Sequence, residues 1–269
     1  MKEQYIQAGA IRTHYYDAGR GEGVVLLHGG GAGADAWGNW KGCMPRLAER
    51  FRVVAVDMVG FGRTEKPDPS RFTYSQEARV RHIIDFLEAM GLKRVHLVGN
   101  SMGGATALGV CLRRPDLVDK LVLMGSAGLN AEISESIRVI LSYEPTKENM
   151  GKLIRVLTHE GFAVDPEMVE YRYKLTQQPG VMEAYGATMK WIAEQGGLFY
   201  PEEEIRQVKH QTLIINGKED KVVTPELAWR FSELLENSRL YLIPHCGHWV
   251  MIEYPEEFCH IVSWFLSMV

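Results

Sequence analysis

The pentapeptide Gly99-Asn100-Ser101-Met102-Gly103 constrains the fold of this chain more than any other feature. A short run with β-branched residues, Arg94 to Val98, precedes it, and small residues dominate the run from Gly104 to Val110. Strand, sharp turn and helix form the context in which a G-x-S-x-G motif raises a serine hydroxyl above a sheet. The turn strains the serine backbone and leaves no room for a Cβ on either side, so glycines flank it. The sequence therefore predicts Ser101 as a nucleophile.

Such a serine needs an orienting acid, which follows it in the chain and precedes the base. The run Leu213 to Asn216 is typical of a buried strand, and it ends at Gly217. Glu219 and Asp220 lie in the next loop, before Thr224-Pro225 begins a helix. From the residues alone, either carboxylate is a candidate for the acid.

A base is predicted after the last strand, Leu240 to Ile243. His248 is the preferred residue, because Gly247 gives the neighbouring backbone the freedom to turn into a site. His245 is the alternative, although a histidine that follows proline at a strand end is more often a surface residue. His260 lies among apolar residues of the closing helix, where a histidine is usually structural.

Backbone N–H groups are predicted to form an oxyanion hole beside the serine. Met102 supplies one at the N-terminus of its helix, where the helix dipole also favours negative charge. The strand Val24 to Leu27 leads into the glycine loop His28 to Gly33, which fits the HGGG pattern. Gly30 is the second predicted donor, because backbone there must approach a substrate oxygen.

The same loop supports a rival interpretation. Gly31-x-Gly33-x-x-Ala36 and the strand Val53 to Val56, which ends in Asp57, mimic a dinucleotide-binding fingerprint with its ribose-binding acid. A nicotinamide oxidoreductase would fit this pattern. However, His28 directly heads the glycine run, and this interpretation leaves Ser101 and His248 unexplained.

Composition excludes several classes of function. The 269 residues, 46% of them hydrophobic, can bury one large core. No apolar run approaches the ~18 residues of a spanning helix, and the N-terminus has no signal-peptide pattern, so a cytoplasmic enzyme without a membrane partner is expected. A net charge of −4 without a basic patch disfavours nucleic acid as a partner. Four cysteines without metal or redox spacing are expected to be free thiols: Cys43, Cys111, Cys246 and Cys259.

The order of predicted elements indicates one α/β domain with an insertion. Strands alternate with helices up to about Met124, which favours a mostly parallel sheet. No convincing strand follows between Leu129 and Val208, where helices are predicted over Lys147 to Glu160 and Asp165 to Gln178. The alternation then resumes. The sequence therefore predicts a first core part over 1–129, a helical lid over 130–208 and a second core part over 209–269.

Arg172 is the residue of the predicted lid whose chemistry stands out. It shares one helix face with Met168 and Leu175, by i, i+4 and i+7 spacing, and no carboxylate lies three or four residues away. A guanidinium that faces inward without a partner is costly, and an anionic substrate would supply the partner. An arginine that reaches the edge of the lid, or that pairs with an acid from another element, explains the pattern equally well.

The chain resembles the meta-cleavage product hydrolases of the α/β-hydrolase fold over its whole length. The resemblance is carried by five segments: His28 to Ala34, Gly38-Asn39-Trp40, Gly99 to Gly104, the stretch Trp191 to Tyr200, and Cys246-Gly247-His248-Trp249. Within that family the chain is most similar to the branch that acts on products of carbazole degradation and on isopropyl-substituted products. The resemblance implies an eight-stranded sheet flanked by helices.

The resemblance also implies roles for individual residues. It favours Asp220 over Glu219 as the acid, which completes a triad of Ser101, Asp220 and His248. Gly30 and Met102 match the oxyanion donors, and the pocket for the substrate carboxylate and 2-oxygen matches Asn39, Asn100, Arg172 and Trp249. Ala32 departs from the proline that many members carry, without removing an N–H donor. Candidates for the apolar half of the pocket are Leu141, Leu157, Met182 and Trp191, although a core role is the more common one for each.

The implied reaction is hydrolysis of the C5–C6 bond of a 2-hydroxy-6-oxohexa-2,4-dienoate, an anionic small molecule. No metal or organic cofactor is implied, and a homodimer or higher homo-oligomer is expected by resemblance. A carboxylesterase or thioesterase is the alternative, because triad and oxyanion hole do not distinguish C–O from C–C bonds. A ligand-binding receptor on the same fold is a further alternative. It would tolerate the loss of catalytic groups, whereas this sequence retains all of them, which disfavours a receptor.

Overall fold

Ser101 follows the fifth of ten strands in the computed structural model, which describes residues 1–130 and 132–268. Eight of these strands form one sheet, and the other two form a separate pair. The strands are β1 (Lys2–Ala8), β2 (Ile11–Gly19), β3 (Gly23–Leu27), β4 (Arg52–Val56), β5 (Val95–Asn100), β6 (Val118–Met124), β7 (Leu129–Asn130), β8 (Leu198–Phe199), β9 (Gln211–Gly217) and β10 (Ser238–Ile243).

The large sheet has the strand order β1-β2-β4-β3-β5-β6-β9-β10. The hairpin of β1 and β2 joins β4 in antiparallel fashion, and every pairing from β4 to β10 is parallel. Strands β3, β4 and β5 are almost entirely buried, which explains their continuous apolar runs. The predicted fold, a mostly parallel eight-stranded sheet, is confirmed.

Twelve α-helices surround the sheet within the described residues, and a 3-10 turn (Pro115–Leu117) precedes β6. The helices are α1 (Ala36–Trp40), α2 (Met44–Leu47), α3 (Gln76–Ala89), α4 (Met102–Arg113), α5 (Glu135–Leu141), α6 (Lys147–Leu157), α7 (Pro166–Thr176), α8 (Val181–Gln195), α9 (Glu202–Ile205), α10 (Pro225–Leu234), α11 (Val250–Glu253) and α12 (Pro255–Leu266). In the described parts of the chain, none of them is long and apolar enough to cross a membrane.

Helices α5 to α9 lie between β6 and β9, and we call them the helical insert. The predicted helices of this segment are present, although α6 ends at Leu157 and α7 at Thr176, earlier than the sequence indicates. Asp165 caps α7 by accepting a hydrogen bond from Glu167 N–H. Positions 131 and 269, which fall in the predicted lid and second core part, lie outside the described residues.

The expectation of no strand between Leu129 and Val208 is wrong. Strand β8 pairs with β7 in antiparallel register, through Leu129 with Phe199 and Asn130 with Leu198. Each strand has only two residues, which is too short to produce an alternating apolar pattern in the sequence. The pair connects the end of the insert to the chain that follows β6.

The sheet brings four functional loops to one edge. Strands β3, β5, β9 and β10 are parallel, so the loops that follow them meet where their carboxyl ends meet. These loops carry the glycine run, Ser101, Asp220 and His248 respectively.

The four cysteines are buried free thiols, as expected.

Candidate active site

Ser101 adopts the strained backbone that the motif predicts. Its φ of 53° and ψ of −119° place a non-glycine residue at positive φ, between β5 and α4. A Cβ at Gly99 would lie 2.4 Å from the carbonyl oxygen of Gly103, and one at Gly103 would lie 2.4 Å from that of Leu27. The turn therefore requires glycine on both sides of the serine.

His248 and Asp220 form a buried pair at the same edge of the sheet. The Nδ1 of His248 lies 2.8 Å from Oδ2 of Asp220, so Nδ1–H donates to the carboxylate. The other oxygen, Oδ1, accepts from the N–H groups of Val222 and Val223 at 2.8 and 2.9 Å. These three bonds fix the carboxylate. They also fix the histidine tautomer, which leaves Nε2 as the nitrogen able to accept a proton.

The competing residues lie elsewhere. The carboxylate of Glu219 accepts a hydrogen bond from Cys246 N–H at 3.1 Å and makes no contact with His248. His245 is exposed, and its ring contacts that of His159. His260 is exposed on α12 instead of packing into the core. The structure thus brings Asp220 and His248 together, and not their alternatives.

The glycine loop after β3 packs directly against the serine turn. A Cβ at Gly30 would lie 2.8 Å from Sδ of Met102, and one at Gly29 would lie 2.8 Å from Oδ1 of Asn100. Gly30, Ser101 and Met102 all line one cavity. Within the described part of the chain, neither Gly30 N–H nor Met102 N–H donates a hydrogen bond. Both donors are therefore available to an oxygen bound beside Ser101.

The cavity leaves a volume of about 80 Å³ open to the centre of a water molecule. The polar side chains that line it are Asn39, Asn100, Ser101, Arg172, His248 and Trp249. Apolar side chains form most of the rest, and they come from the helical insert and from the loop after β9. They include Ile137, Ile140, Leu141, Leu157, Met189, Ile192, Leu198, Val222 and Val223. A lining that is mostly apolar with a few polar groups suits a small molecule that has a polar and an apolar part.

Two of the four apolar candidates from the sequence belong to this wall. Leu141 and Leu157 line the cavity, whereas Met182 and Trp191 do not. Instead, the guanidinium of Arg79 lies over the indole of Trp191, with its central carbon 5.7 Å from the ring centre. Met189 and Ile192, which were not predicted from the sequence, line the cavity one turn apart on α8. Their i, i+3 spacing was a usable signal, although it does not distinguish a cavity wall from a core contact.

Arg172 is buried, with only 2% of its surface exposed, so it does not reach the edge of the insert. Its Nη2 donates to Ala32 O at 3.2 Å, while Nε and Nη1 have no partner among the described residues. No carboxylate in the described residues lies within salt-bridge distance of this guanidinium. Burial lowers the pKa of Arg172 to about 10, which leaves it charged at neutral pH. A buried, half-satisfied cation facing a cavity favours an anionic ligand.

Asn39 and Asn100 are two further polar residues of the cavity wall. The Nδ2 of Asn39 donates to Oδ1 of Asn100 at 3.3 Å, and Asn100 in turn donates to Met124 O at 3.2 Å. The Asn39 Oδ1 is buried and has no partner among the described residues. Asn100 therefore orients Asn39, whose oxygen can accept a hydrogen bond from a ligand hydroxyl.

The structure is incompatible with a dinucleotide site. Asp57, which would bind the ribose, is buried, and its oxygens accept from Ala36 N–H, Arg63 N–H and His14 Nδ1. His28, at the head of the glycine run, accepts from Met58 N–H through Nε2. Both side chains are thus committed to the structure of the loops and are unavailable to a nucleotide.

A serine turn, a buried His–Asp pair and two free N–H groups on this sheet define an α/β hydrolase. Residues 24–261 match the model of the Alpha/beta hydrolase family. The chain is 50% identical to 2-hydroxy-6-oxo-6-(2'-aminophenyl)hexa-2,4-dienoic acid hydrolase of Metapseudomonas resinovorans, over 98% of this chain and 91% of that one. It is 39% identical to 2-hydroxy-6-oxo-2,4-heptadienoate hydrolase of Pseudomonas putida, over 97% and 95%.

Solved structures agree with these relatives. The crystal structure of a serine hydrolase involved in carbazole degradation, the CarC enzyme, superposes with a TM-score of 0.92. It is 48% identical in sequence and covers 99% of this chain and 98% of that one. The chain therefore belongs to the alpha/beta hydrolase family and, within it, to the meta-cleavage product hydrolases.

Proposed function

We propose that this enzyme hydrolyses the C5–C6 bond of 2-hydroxy-6-oxohexa-2,4-dienoates formed in aromatic degradation, with Ser101, His248 and Asp220 as its triad. The observation that carries the proposal is the position of Arg172. A buried guanidinium with two free nitrogens lines the same cavity as the serine and the His–Asp pair. An esterase for neutral substrates has no use for such a charge. Similarity to dienoate hydrolases at up to 50% identity supports the same substrate class.

The two parts of the cavity wall orient the substrate. Its carboxylate binds Arg172 in the polar part, near Asn39 Oδ1, which accepts from the 2-hydroxyl group. The carbon chain then extends toward Ser101, and the 6-substituent occupies the apolar part formed by the insert. Trp249 lies beneath the guanidinium and holds its plane.

The reaction begins with ketonisation of the dienol. His248, neutral and free at Nε2, accepts the 2-hydroxyl proton and delivers a proton to C5. The product of this step is a 2,6-dioxo acid whose C6 carbonyl is a conventional electrophile. Asp220 stabilises the imidazolium that forms between the two transfers.

Carbon–carbon cleavage then follows the logic of acyl transfer. The Ser101 hydroxyl adds to C6 as His248 removes its proton, and Gly30 and Met102 N–H stabilise the oxyanion. Collapse breaks the C5–C6 bond, and the electron pair on C5 delocalises to the 2-oxygen as a dienolate, which takes the proton that His248 holds and leaves as a 2-hydroxydienoate. Water, activated by His248, hydrolyses the acyl-enzyme to a carboxylic acid. These steps need only groups of this chain and water.

The test is a panel of yellow dienolates that differ in their 6-substituent. We expect micromolar enzyme to bleach them, and to turn over bulky aryl or branched alkyl members better than 6-methyl or unsubstituted ones. A small neutral chromogenic ester serves as the comparison substrate. Fast ester hydrolysis without bleaching of any dienolate would assign the enzyme to the carboxylesterases or thioesterases. A burst of the ester's leaving group distinguishes an enzyme from a receptor.

Three further expectations stay predictions. We propose that residues 130–208 act as a lid, supported by the six cavity-lining residues that α5, α6 and α8 contribute besides Arg172 of α7: Ile137, Ile140, Leu141, Leu157, Met189 and Ile192. A cytoplasmic location is tested by cell fractionation. The homo-oligomeric state is tested by light scattering coupled to size-exclusion chromatography.

A further inference from the structure

Three potential metal ligands meet outside the cavity. The ligand atoms of His159, Glu219 and His245 all lie within 4.8 Å of one another. They come from three separate loops, which follow α6, β9 and β10. His245 is exposed, and the other two are partly exposed, so an ion can reach them from solvent. We propose that this cluster is a binding site for a divalent transition-metal ion of the zinc class.

The donor set determines which ions fit. Two imidazoles and one carboxylate favour Zn²⁺, Co²⁺, Ni²⁺ or Cu²⁺ over Mg²⁺ and Ca²⁺, which prefer oxygen ligands. A tetrahedral ion with bonds of about 2.1 Å separates its ligands by about 3.4 Å. The ligand atoms here lie within 4.8 Å of one another, so binding requires them to move closer together. Three protein ligands leave one position for water.

The loops that carry the ligands are fixed to one another. Glu253 accepts hydrogen bonds from His159 N–H at 2.8 Å and from Gly247 N–H at 3.0 Å, so its carboxylate joins two of the loops. A Cβ at Gly247 would lie 2.6 Å from His159 N, which shows how closely the backbones pack. Glu219 accepts from Cys246 N–H through Oε2, and this bond leaves Oε1 for a metal. The cluster is thus preorganised by backbone contacts.

The electrostatic surroundings also favour a cation. The carboxylate of Glu219 accepts from Cys246 N–H and that of Glu253 accepts from Gly247 N–H, so two carboxylates lie against the loop that carries His245. Within the described part of the chain, no lysine or arginine forms a salt bridge with Glu219 or Glu253. A divalent cation at the cluster would be attracted by these carboxylates.

The backbone of His245 supports a role beyond loop structure. Its φ of 56° makes it, with Ser101, one of two non-glycine residues at positive φ in the described chain. Such conformations concentrate at functional positions. The conformation places the His245 ring against that of His159, with 5.9 Å between the ring centres.

A hydrogen bond to the ring of His159 is expected to weaken metal binding at the cluster. The Nδ1 of His159 accepts from Gly161 N–H at 3.0 Å. A metal on Nε2 requires the ring proton on Nδ1, which breaks this bond, so binding should be weaker than at closed structural zinc sites. We expect a dissociation constant on the order of micromolar. Because the site joins the insert to the loop before His248, a bound ion should raise the melting temperature by mass action.

The experiment uses the full chain without an affinity tag, stripped of metal with a chelator. Co²⁺ is titrated by absorption spectroscopy, and Zn²⁺ by calorimetry and by competition with Co²⁺. We expect one ion per chain and at least tenfold weaker binding by the His159→Gln and His245→Gln variants. His260→Gln, which removes an exposed histidine outside the cluster, should bind as the wild type does. Mg²⁺ should not compete.

Two results would overturn the proposal. The first is wild-type binding no tighter than millimolar. The second is unchanged affinity in both histidine variants, which would place any bound ion elsewhere. Because both side chains are at least partly exposed, the variants should fold, and circular dichroism checks this. The test does not depend on the proposed reaction, since metal binding is measured without substrate.

Discussion

The guanidinium of Arg172 lies over the indole of Trp249, with its central carbon 4.6 Å from the ring centre. Arg172 belongs to the helical insert, whereas Trp249 follows the catalytic-base candidate His248. The contact therefore fixes a substrate-facing charge relative to a proton-transfer group. It also satisfies the face of the guanidinium while two of its nitrogens stay free in the plane.

Arg172→Ala should lower kcat/KM on dienoates by roughly 2–4 kcal/mol, because a charge-assisted contact with the substrate carboxylate is lost. Hydrolysis of a small neutral ester should change much less, since the serine turn and the N–H donors are untouched. Arg172→Lys should recover only part of the loss, because an ammonium cannot reproduce the planar fork. Steady-state kinetics on both substrates measure this. Equal losses on both would indicate that Arg172 only supports the insert.

Ser101→Ala should reduce turnover by several orders of magnitude and leave substrate binding largely intact, because the hydroxyl acts mainly in the chemical step. Stopped-flow absorbance separates the two effects. Ketonisation needs only His248 in our mechanism, so the variant should still shift the dienolate spectrum before stalling. Turnover near that of the wild type would instead indicate direct attack by water.

Asp220→Asn should slow turnover by roughly 10³ to 10⁴, because an amide disfavours both the required tautomer and the charged form of His248. Glu219→Gln is the matched control, since its carboxylate contacts Cys246 N–H and not the histidine. We expect it to retain most activity. The opposite ranking of the two variants would show that the wrong carboxylate is assigned.

The positions of the candidate catalytic groups could be predicted because each depends on a short local pattern. A Cβ at Gly99 or Gly103 would lie 2.4 Å from a backbone oxygen, so this turn requires both glycines. The motif in the sequence therefore predicts the turn directly. Asp220 and His248 each follow a predicted strand, and the carboxyl ends of parallel strands lie at one edge of the sheet, so both could be placed near Ser101. The choice between Glu219 and Asp220 was different, because both lie in one loop and only its conformation separates them.

The apolar part of the cavity could not be predicted from the sequence. A helix such as α8 is apolar over more than one face, and spacing does not indicate which face borders empty space. Trp191 and Ile192 are adjacent in the chain, yet only Ile192 lines the cavity. The cluster of His159, Glu219 and His245 could not be predicted from the sequence either. Its members are far apart in the chain and do not follow the spacing of a known metal-binding motif.

A last prediction concerns pH and Asp35, which caps α1 by accepting from Gly38 N–H and also accepts from the hydroxyl of Tyr171. Burial and the charge of Asp57 raise its pKa from 3.8 to about 6, against the opposing effect of these hydrogen bonds and of Arg172. Between these two pH values the folded state holds the proton more tightly than the unfolded state. This group therefore makes folding less stable as pH rises from about 4 to 6.

Asp35→Asn removes this titration while keeping a side chain that can cap the helix. The free energy of unfolding of the variant minus that of the wild type should increase from pH 4.5 to pH 7.5, by an amount on the order of 2 kcal/mol. Urea denaturation at both pH values measures the difference, in which the titration of all other groups largely cancels. Glu160→Gln, at an exposed carboxylate, is the control and should show no such gain. A pH-independent difference for Asp35→Asn would mean that the carboxylate stays ionised across this range.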